Sequence, residues 1–158
     1  MRAVIQRVNR ARVRVDQELI SSIGPGLLVL LGVHKDDQED DLNWLVDKTC
    51  NLRIFEDHEG KMNRSLLDTM AHGNQMLVVS QFTLYGDCRK GRRPGFSEAA
   101  PPDQAKQFYL QFIDQTRQRG VSCAGGRFQA HMEVELINDG PVTLIIDSRH
   151  PQPDPSQP

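Results

Sequence analysis

The sequence predicts an α+β fold, a single β-rich domain carrying two main helices. Three observations point there. Short stretches with strand-like alternation, or with unbroken apolar character, recur along the chain. Two longer stretches, around residues 42–49 and 105–116, set their apolar residues at helical spacing instead. The length, 158 residues, suits one domain able to bury a substantial core.

Residues 1–8 read as a strand. Residues 11–15 read as another, because Ala11, Val13 and Val15 alternate with Arg12 and Arg14. Gly24-Pro25-Gly26 turns the chain into residues 27–33, an unbroken apolar run expected to be buried on both faces. Asp36 with Glu39 resembles a capping box, after which Leu42, Leu45, Val46 and Thr49 keep helical spacing. A polar loop over 56–63 leads to a short helix near 66–70, and residues 76–84 form the next strand. A basic loop with Gly and Pro, 85–95, follows. Pro101-Pro102-Asp103 opens the clearest helix, and Gly120 closes it from the position just past its last turn. Its stripe of Ala105, Phe108, Tyr109, Phe112, Ile113 and Thr116 is core packing. Met132, Val134 and Leu136 alternate with Glu133 and Glu135 in a further strand, which Gly140-Pro141 separates from the apolar run 142–146. Residues 1–147 are taken as the domain. Residues 148–158, rich in Pro and Gln, are expected to form a disordered tail.

Composition narrows the function. A net charge of −2 argues against a general nucleic-acid binder. The charges are nevertheless unevenly placed. Arg2, Arg7, Arg10, Arg12 and Arg14 precede the first acid, Asp16, and Arg89, Lys90, Arg92 and Arg93 cluster in one loop. Acids gather at 36–41 and 56–59, so the chain can turn a positive face to phosphates. For Arg12 and Arg14, solvated strand surface is the simpler reading. The N-terminus lacks the apolar centre of a signal peptide, and the run 27–31 is too short to span a bilayer. A cytoplasmic protein is expected. Cys50, Cys88 and Cys123 are odd in number and far apart, which suits reduced thiols and not a zinc site.

The chain has no Gly-x-Ser-x-Gly elbow and no His-x-x-x-His or His-Glu-x-x-His pair. Neither a hydrolase triad nor a metal-activated water therefore has sequence support, and no metal or cofactor is expected. Gly86-x4-Gly91 is followed by Arg92 and Arg93, not by the Lys and Ser/Thr of a phosphate-binding loop. His131 lies in a strand near the candidate site, where a surface-facing histidine is the commoner reading.

Two short motifs stand at strand ends: Ser80-Gln81-Phe82-Thr83 and Asn138-Asp139-Gly140-Pro141-Val142-Thr143. The first brings hydroxyls, an amide and an aromatic ring to a place that can receive a small polar ligand. The second carries Gly-Pro, which seldom enters a buried strand. X-Pro bonds adopt cis cheaply, and a cis-Pro marks a deliberate turn. Residue types alone favour the plainer readings, a hairpin corner for Gly140-Pro141 and ordinary strand-end polar residues for Ser80 and Thr83.

The order of the motifs says more. Ile5-Gln6-Arg7-Val8, Gly60-Lys61-Met62-Asn63, Val79-Ser80-Gln81-Phe82-Thr83-Leu84, Gly126-Arg127-Phe128 and Asn138-Asp139-Gly140-Pro141-Val142-Thr143 resemble, in sequence and spacing, the D-aminoacyl-tRNA deacylases. The resemblance covers residues 1–146. It implies a mainly antiparallel, barrel-like sheet with two flanking helices, and a homodimer with its active site at the subunit interface. It implies hydrolysis of the ester joining a D-amino acid to its tRNA, a chiral proofreading step of translation, with glycyl-tRNA able to slip through. It places catalysis at Ser80, Gln81, Phe82 and Thr83, where backbone N–H groups stabilise the oxyanion and the substrate's ribose hydroxyl helps orient the water. It makes Gly140 and Pro141 the chiral gate, contributed across the dimer, and puts Phe128, Ala130, Met132 and Asn138 around the substrate. The basic loop, Arg89, Lys90, Arg92 and Arg93, would hold the tRNA.

The chain departs from the family's pattern in three places. Gln129 stands where a small residue is usual, Cys88 where Thr is more frequent, and Gly95 where Ser is. Two rival readings remain: a non-catalytic nucleic-acid-binding module, and a small-ester hydrolase with Thr83 as nucleophile. The second needs a base beside Thr83, and none is evident in the sequence.

Overall fold

A computed structural model describes residues 1–149, and its spine is the first strand. β1 (Arg2–Val15) is unbroken where two strands were expected, although its pairing slips near Val8 and Arg10. The slip has a consequence for packing. Ala3 and Ile5 point into one apolar cluster, whereas Val8, Ala11 and Val13 point into another. Asp16 and Gln17 both hold positive φ, the geometry of a two-residue hairpin turn, and deliver β2 (Glu18–Ile23) alongside the second half of β1. Sequence reasoning missed β2 because its six residues show little alternation.

β3 (Gly26–Gly32) pairs antiparallel with the first half of β1. α1 (Glu39–Asn51) follows, with Gln38 as its N-cap. The expected cap at Asp36 is displaced: the Gln38 N–H donates to the Asp41 carboxylate at 2.9 Å, while the Asp36 N–H donates to His34 Nδ1. The polar loop holds a small hairpin, β4 (Phe55–Glu56) and β5 (Met62–Arg64), and a 3-10 turn over Leu67–His72. β6 (Gln75–Ser80) lies parallel to β3. α2 (Pro102–Gln118) then returns the chain to β7 (Cys123–Gly125), parallel to β6. β7 was not read from the sequence; at three residues it is too short for a periodic signal. β8 (Glu133–Asp147) runs antiparallel along most of β1, as one strand where two were expected.

The sheet order is β2-β1-β3-β6-β7, with β8 on the other side of β1, and β2 also lies against β6 and β7. The result is a nearly closed, barrel-like sheet. Its antiparallel part is as expected, but β3-β6-β7 is parallel, because α1 and α2 serve as the crossovers that parallel neighbours require. Period-two alternation then feeds two cores. Leu27, Val29, Leu31, Met76 and Val78 face the helices with Leu45 and Phe112, while Leu28, Leu77 and Val79 face Val8, Val13 and Ile23. That double burial explains the unbroken apolar runs.

The first and last described residues meet. The buried Met1 ammonium donates to Asp37 at 2.7 Å and to the Ser148 hydroxyl, which donates in turn to Asp41. Arg149 reaches His34 at 3.0 Å. The tail expected from 148 onward is therefore tied down at its first two residues, and the remainder, 150–158, lies outside the described residues. Among the described residues no helix is long and apolar enough to cross a membrane.

Candidate active site

The strand expected to reach residue 84 ends at Ser80. The Gln81 N–H donates to Leu31 O at 2.8 Å as the last rung, and Phe82–Tyr85 then folds into a 3-10 turn. The Arg2 guanidinium holds that turn from outside by donating to Leu84 O at 2.8 Å. Gly32 admits it from inside: a Cβ there would lie 3.2 Å from Gln81 O and from Leu84 Cβ. Leu84 N–H is bonded to Gln81 O, so the Phe82 and Thr83 amides are those that such a turn leaves without an internal acceptor.

A cavity of about 610 Å³ opens at the carboxyl ends of β3 and β6. One wall is Leu31, Val33, Val79, Ser80, Gln81 and Phe82. The second comes from Ala100, Pro102, Ala105 and Tyr109 at the start of α2. The third is Phe128, Gln129, Ala130, His131 and Met132, just ahead of β8. Six of the expected site residues, Ser80, Gln81, Phe82, Phe128, Ala130 and Met132, are brought together here. Thr83 is the next residue along the turn. Gly125 and Gly126 allow the walls to close: added Cβ atoms would stand 2.8 Å from Tyr109 Oη and 2.7 Å from Met132 Sδ. Tyr109, read from the sequence only as core, donates to Val78 O at 3.0 Å and packs its ring 5.8 Å from that of Phe128. Burial pushes its phenol up to about 12, so it stays a neutral donor. Gln129 sits in the left-handed region at φ 61°, which few residues other than glycine adopt.

The lining is mostly apolar, its polar side chains being Ser80, Gln81, Tyr109, Gln129 and His131. The Thr83 hydroxyl accepts from the Gln81 side-chain amide. Among the described residues no histidine or carboxylate bonds to it.

Asn138, Gly140 and Pro141 lie elsewhere. Five steps of β8, from Asn138 to Thr143, oppose only two of β1, from Val8 to Gln6, so residues 139–142 bulge out of the ladder. Gly140 and Pro141 are exposed at the crest, joined by a cis peptide, and neither lines the cavity of its own chain. The bulge is tied on both sides. Asn138 accepts from Val142 N–H at 2.8 Å and donates to Val142 O at 3.1 Å. Arg7, only 6% exposed, donates to Asp139 O at 3.2 Å and to Ile54 O at 2.7 Å, and pairs with the Asp139 carboxylate. The sequence offered Arg7 as part of an opening motif and of the N-terminal basic group; its tie to the crest appears once the register slip brings Asp139 over it.

The basic residues form an exposed loop closed by paired backbone bonds between Asp87 and Gly95. Arg89 forks onto Asp87 with two contacts of 2.8 Å, which holds that carboxyl down near pH 2. Lys90, Arg92 and Arg93 make no ion pair among the described residues. At the loop's root Phe96 meets Phe82 edge to face, ring centres 5.1 Å apart, at the cavity mouth.

Residues 4–147 match the family model described as D-Tyr-tRNA(Tyr) deacylase. The chain is 61% identical over 148 residues to a D-aminoacyl-tRNA deacylase of Syntrophotalea carbinolica, covering 94% of this chain and 97% of the relative. It is 55% identical, over the same shares of both chains, to the one from Thermotoga petrophila. Among solved structures, the c-Myc DNA Unwinding Element Binding Protein superposes with a TM-score of 0.85 at 43% identity, over 93% of this chain and 98% of the other. A probable eukaryotic D-amino acid tRNA deacylase shares the fold, at TM-score 0.79 and 20% identity, over 92% and 98%.

Proposed function

We propose that this chain, which belongs to the D-Tyr-tRNA(Tyr) deacylase family, hydrolyses the ester of D-aminoacyl-tRNA to free tRNA and D-amino acid, with residues 1–147 as the catalytic domain. The observation that carries the reading is the strand-end turn. It leaves two amides, Phe82 and Thr83, without an acceptor inside the turn, and Phe82 lines a mostly apolar cavity. An aminoacyl ester is already activated, so the reaction needs mainly a home for the developing oxyanion and a placed water. The turn amides stabilise the oxyanion. The neighbouring ribose hydroxyl of the substrate orients the water. Water adds to the carbonyl, the ester C–O bond breaks, and the ribose oxygen leaves with a proton. Ser80 and Gln81 hold the turn's entry, and Gln81 fixes Thr83. Phe128, Ala130 and Met132 shape the cavity. No cofactor is needed, and the chemistry belongs in the cytoplasm, where charged tRNA is found.

The chiral gate is the Gly140-Pro141 crest of a second copy. Ile137, Leu144 and Ile145 on the same strand are exposed apolar side chains, and a homodimer would cover them. Carbonyls of the inserted crest accept from the substrate ammonium, and an L side chain collides with the crest itself. Asn138 stands at the crest's foot on this reading. Glycine, with no side chain, passes the gate. Lys90, Arg92 and Arg93, with Arg89, receive tRNA phosphates.

The test is the release of D- and L-tyrosine from one matched tRNA. Release of the D form alone supports the enzyme and its gate. Equal release makes the protein a general aminoacyl esterase. Release of neither favours the second reading, a nucleic-acid-binding module, which the exposed basic loop and the similarity to a protein named for binding DNA both support.

A further inference from the structure

We propose that Asn138 is a positioning residue for stereochemical selection, acting through the crest and not on the substrate. The inference rests on the reading of Gly140-Pro141 as the gate. A bulge of four residues takes main-chain groups out of the β1–β8 ladder, and those groups must find partners or water. The Asn138 side chain supplies both partners for one of them. Its Oδ1 accepts the Val142 N–H at 2.8 Å and its Nδ2 donates to Val142 O at 3.1 Å, so the amide imitates a passing strand. Nδ2 also lies 3.1 Å from Thr143 Oγ1, to which Gln6 donates at 3.3 Å. The C-terminal foot of the crest is thus pinned by a single carboxamide, while Arg7 pins the N-terminal foot through Asp139. With both feet fixed, the directions of the Gly140 and Pro141 carbonyls are fixed as well.

Only a group that donates and accepts within one planar head reproduces the pair at Val142. A carboxylate accepts from the N–H but sets lone pairs against Val142 O. A protonated carboxyl restores the pattern. Asn138→Asp therefore makes the clamp depend on pH in the range where an aspartate carboxyl titrates, about pH 4.

The experiment measures deacylation of D- and L-tyrosyl-tRNA by the full chain between about pH 3.5 and 7.5, for wild type, Asn138→Asp and Asn138→Ala. Wild type should hold one D-to-L ratio throughout. Asn138→Ala should lower the ratio about tenfold at every pH, and Asn138→Asp about tenfold at the upper end only, recovering on acidification. A D-to-L ratio equal to wild type in both variants would overturn the proposal, and so would equal loss of both rates at constant ratio. Hydrogen exchange at the Val142 amide gives a second reading that needs no activity: protection lost in Asn138→Ala supports the clamp, and protection retained overturns it. Wild type releasing both enantiomers equally would sink the chiral gate itself, while the exchange arm still decides whether Asn138 holds the crest.

Discussion

The Thr83 hydroxyl accepts from the Gln81 amide and meets no base among the described residues, so nothing is placed to take its proton. Thr83→Ala should therefore lose less than about tenfold in turnover, within the range of one neutral hydrogen bond. A trapped acyl-enzyme in wild type, with a dead Thr83→Ala, would reverse the assignment. Gly140 behaves differently. It holds φ +132°, and a Cβ there would stand 2.7 Å from Val142 Cγ2 and 3.3 Å from the Arg7 guanidinium. Gly140→Ala must shift the crest, so L-tyrosyl-tRNA should begin to turn over while tRNA affinity stays; unchanged rejection of the L form would remove the crest from selection. The thiols give a simpler check. Burial pushes Cys50 up to about 11 and Cys123 up to about 12, whereas Cys88 is exposed in the basic loop. Iodoacetamide near pH 8 should label one thiol in the native protein and three after denaturation.

Among the elements, those with long periodic signals were legible: β3 and β6 as unbroken apolar runs, α2 as a stripe with Phe112 and Tyr109 at its centre. Phe112 is fully buried between α2 and the sheet, so Phe112→Ala should cost about 3–5 kcal/mol by urea denaturation. Phe108, only partly buried on the same helix, should cost less when cut back. What escaped the sequence was set by distant partners. Phe82 and Leu84 continue an alternating pattern, yet the strand stops at Ser80 because Gly32 and Arg2 receive a turn there. β7 is defined only by its seat beside β6. Among the residues lining the cavity, Ser80, Gln81, Phe82 and Phe128 stand in motifs legible by their family order, whereas Ala130 and Met132 came only with the resemblance. The ties of Arg7 and Asn138 were not, because both depend on a register slip that no local pattern records.

At the scale of the whole molecule, a chain of net charge −2 must bind a polyanion through a local surface. On the proposed reading the loop after the strand-end turn is that surface, and its residues are not equivalent. Arg89 is neutralised by its fork onto Asp87, whose carboxyl is held down near pH 2 and so stays charged through the neutral range. Lys90, Arg92 and Arg93 project without an acid partner among the described residues, so they release counterions when a phosphate arrives. Replacing all three with Gln should lower the slope of log kcat/KM against log salt by about 2–3, at close to one unit per lost phosphate contact. Replacing Arg89 alone should change it less. Turnover at saturating tRNA should hardly move in either case, since the cavity and the strand-end turn are untouched. A slope that stays put in the triple variant would mean the tRNA approaches over another face. It would also detach the loop from the Phe82–Phe96 mouth that now links it to the cavity.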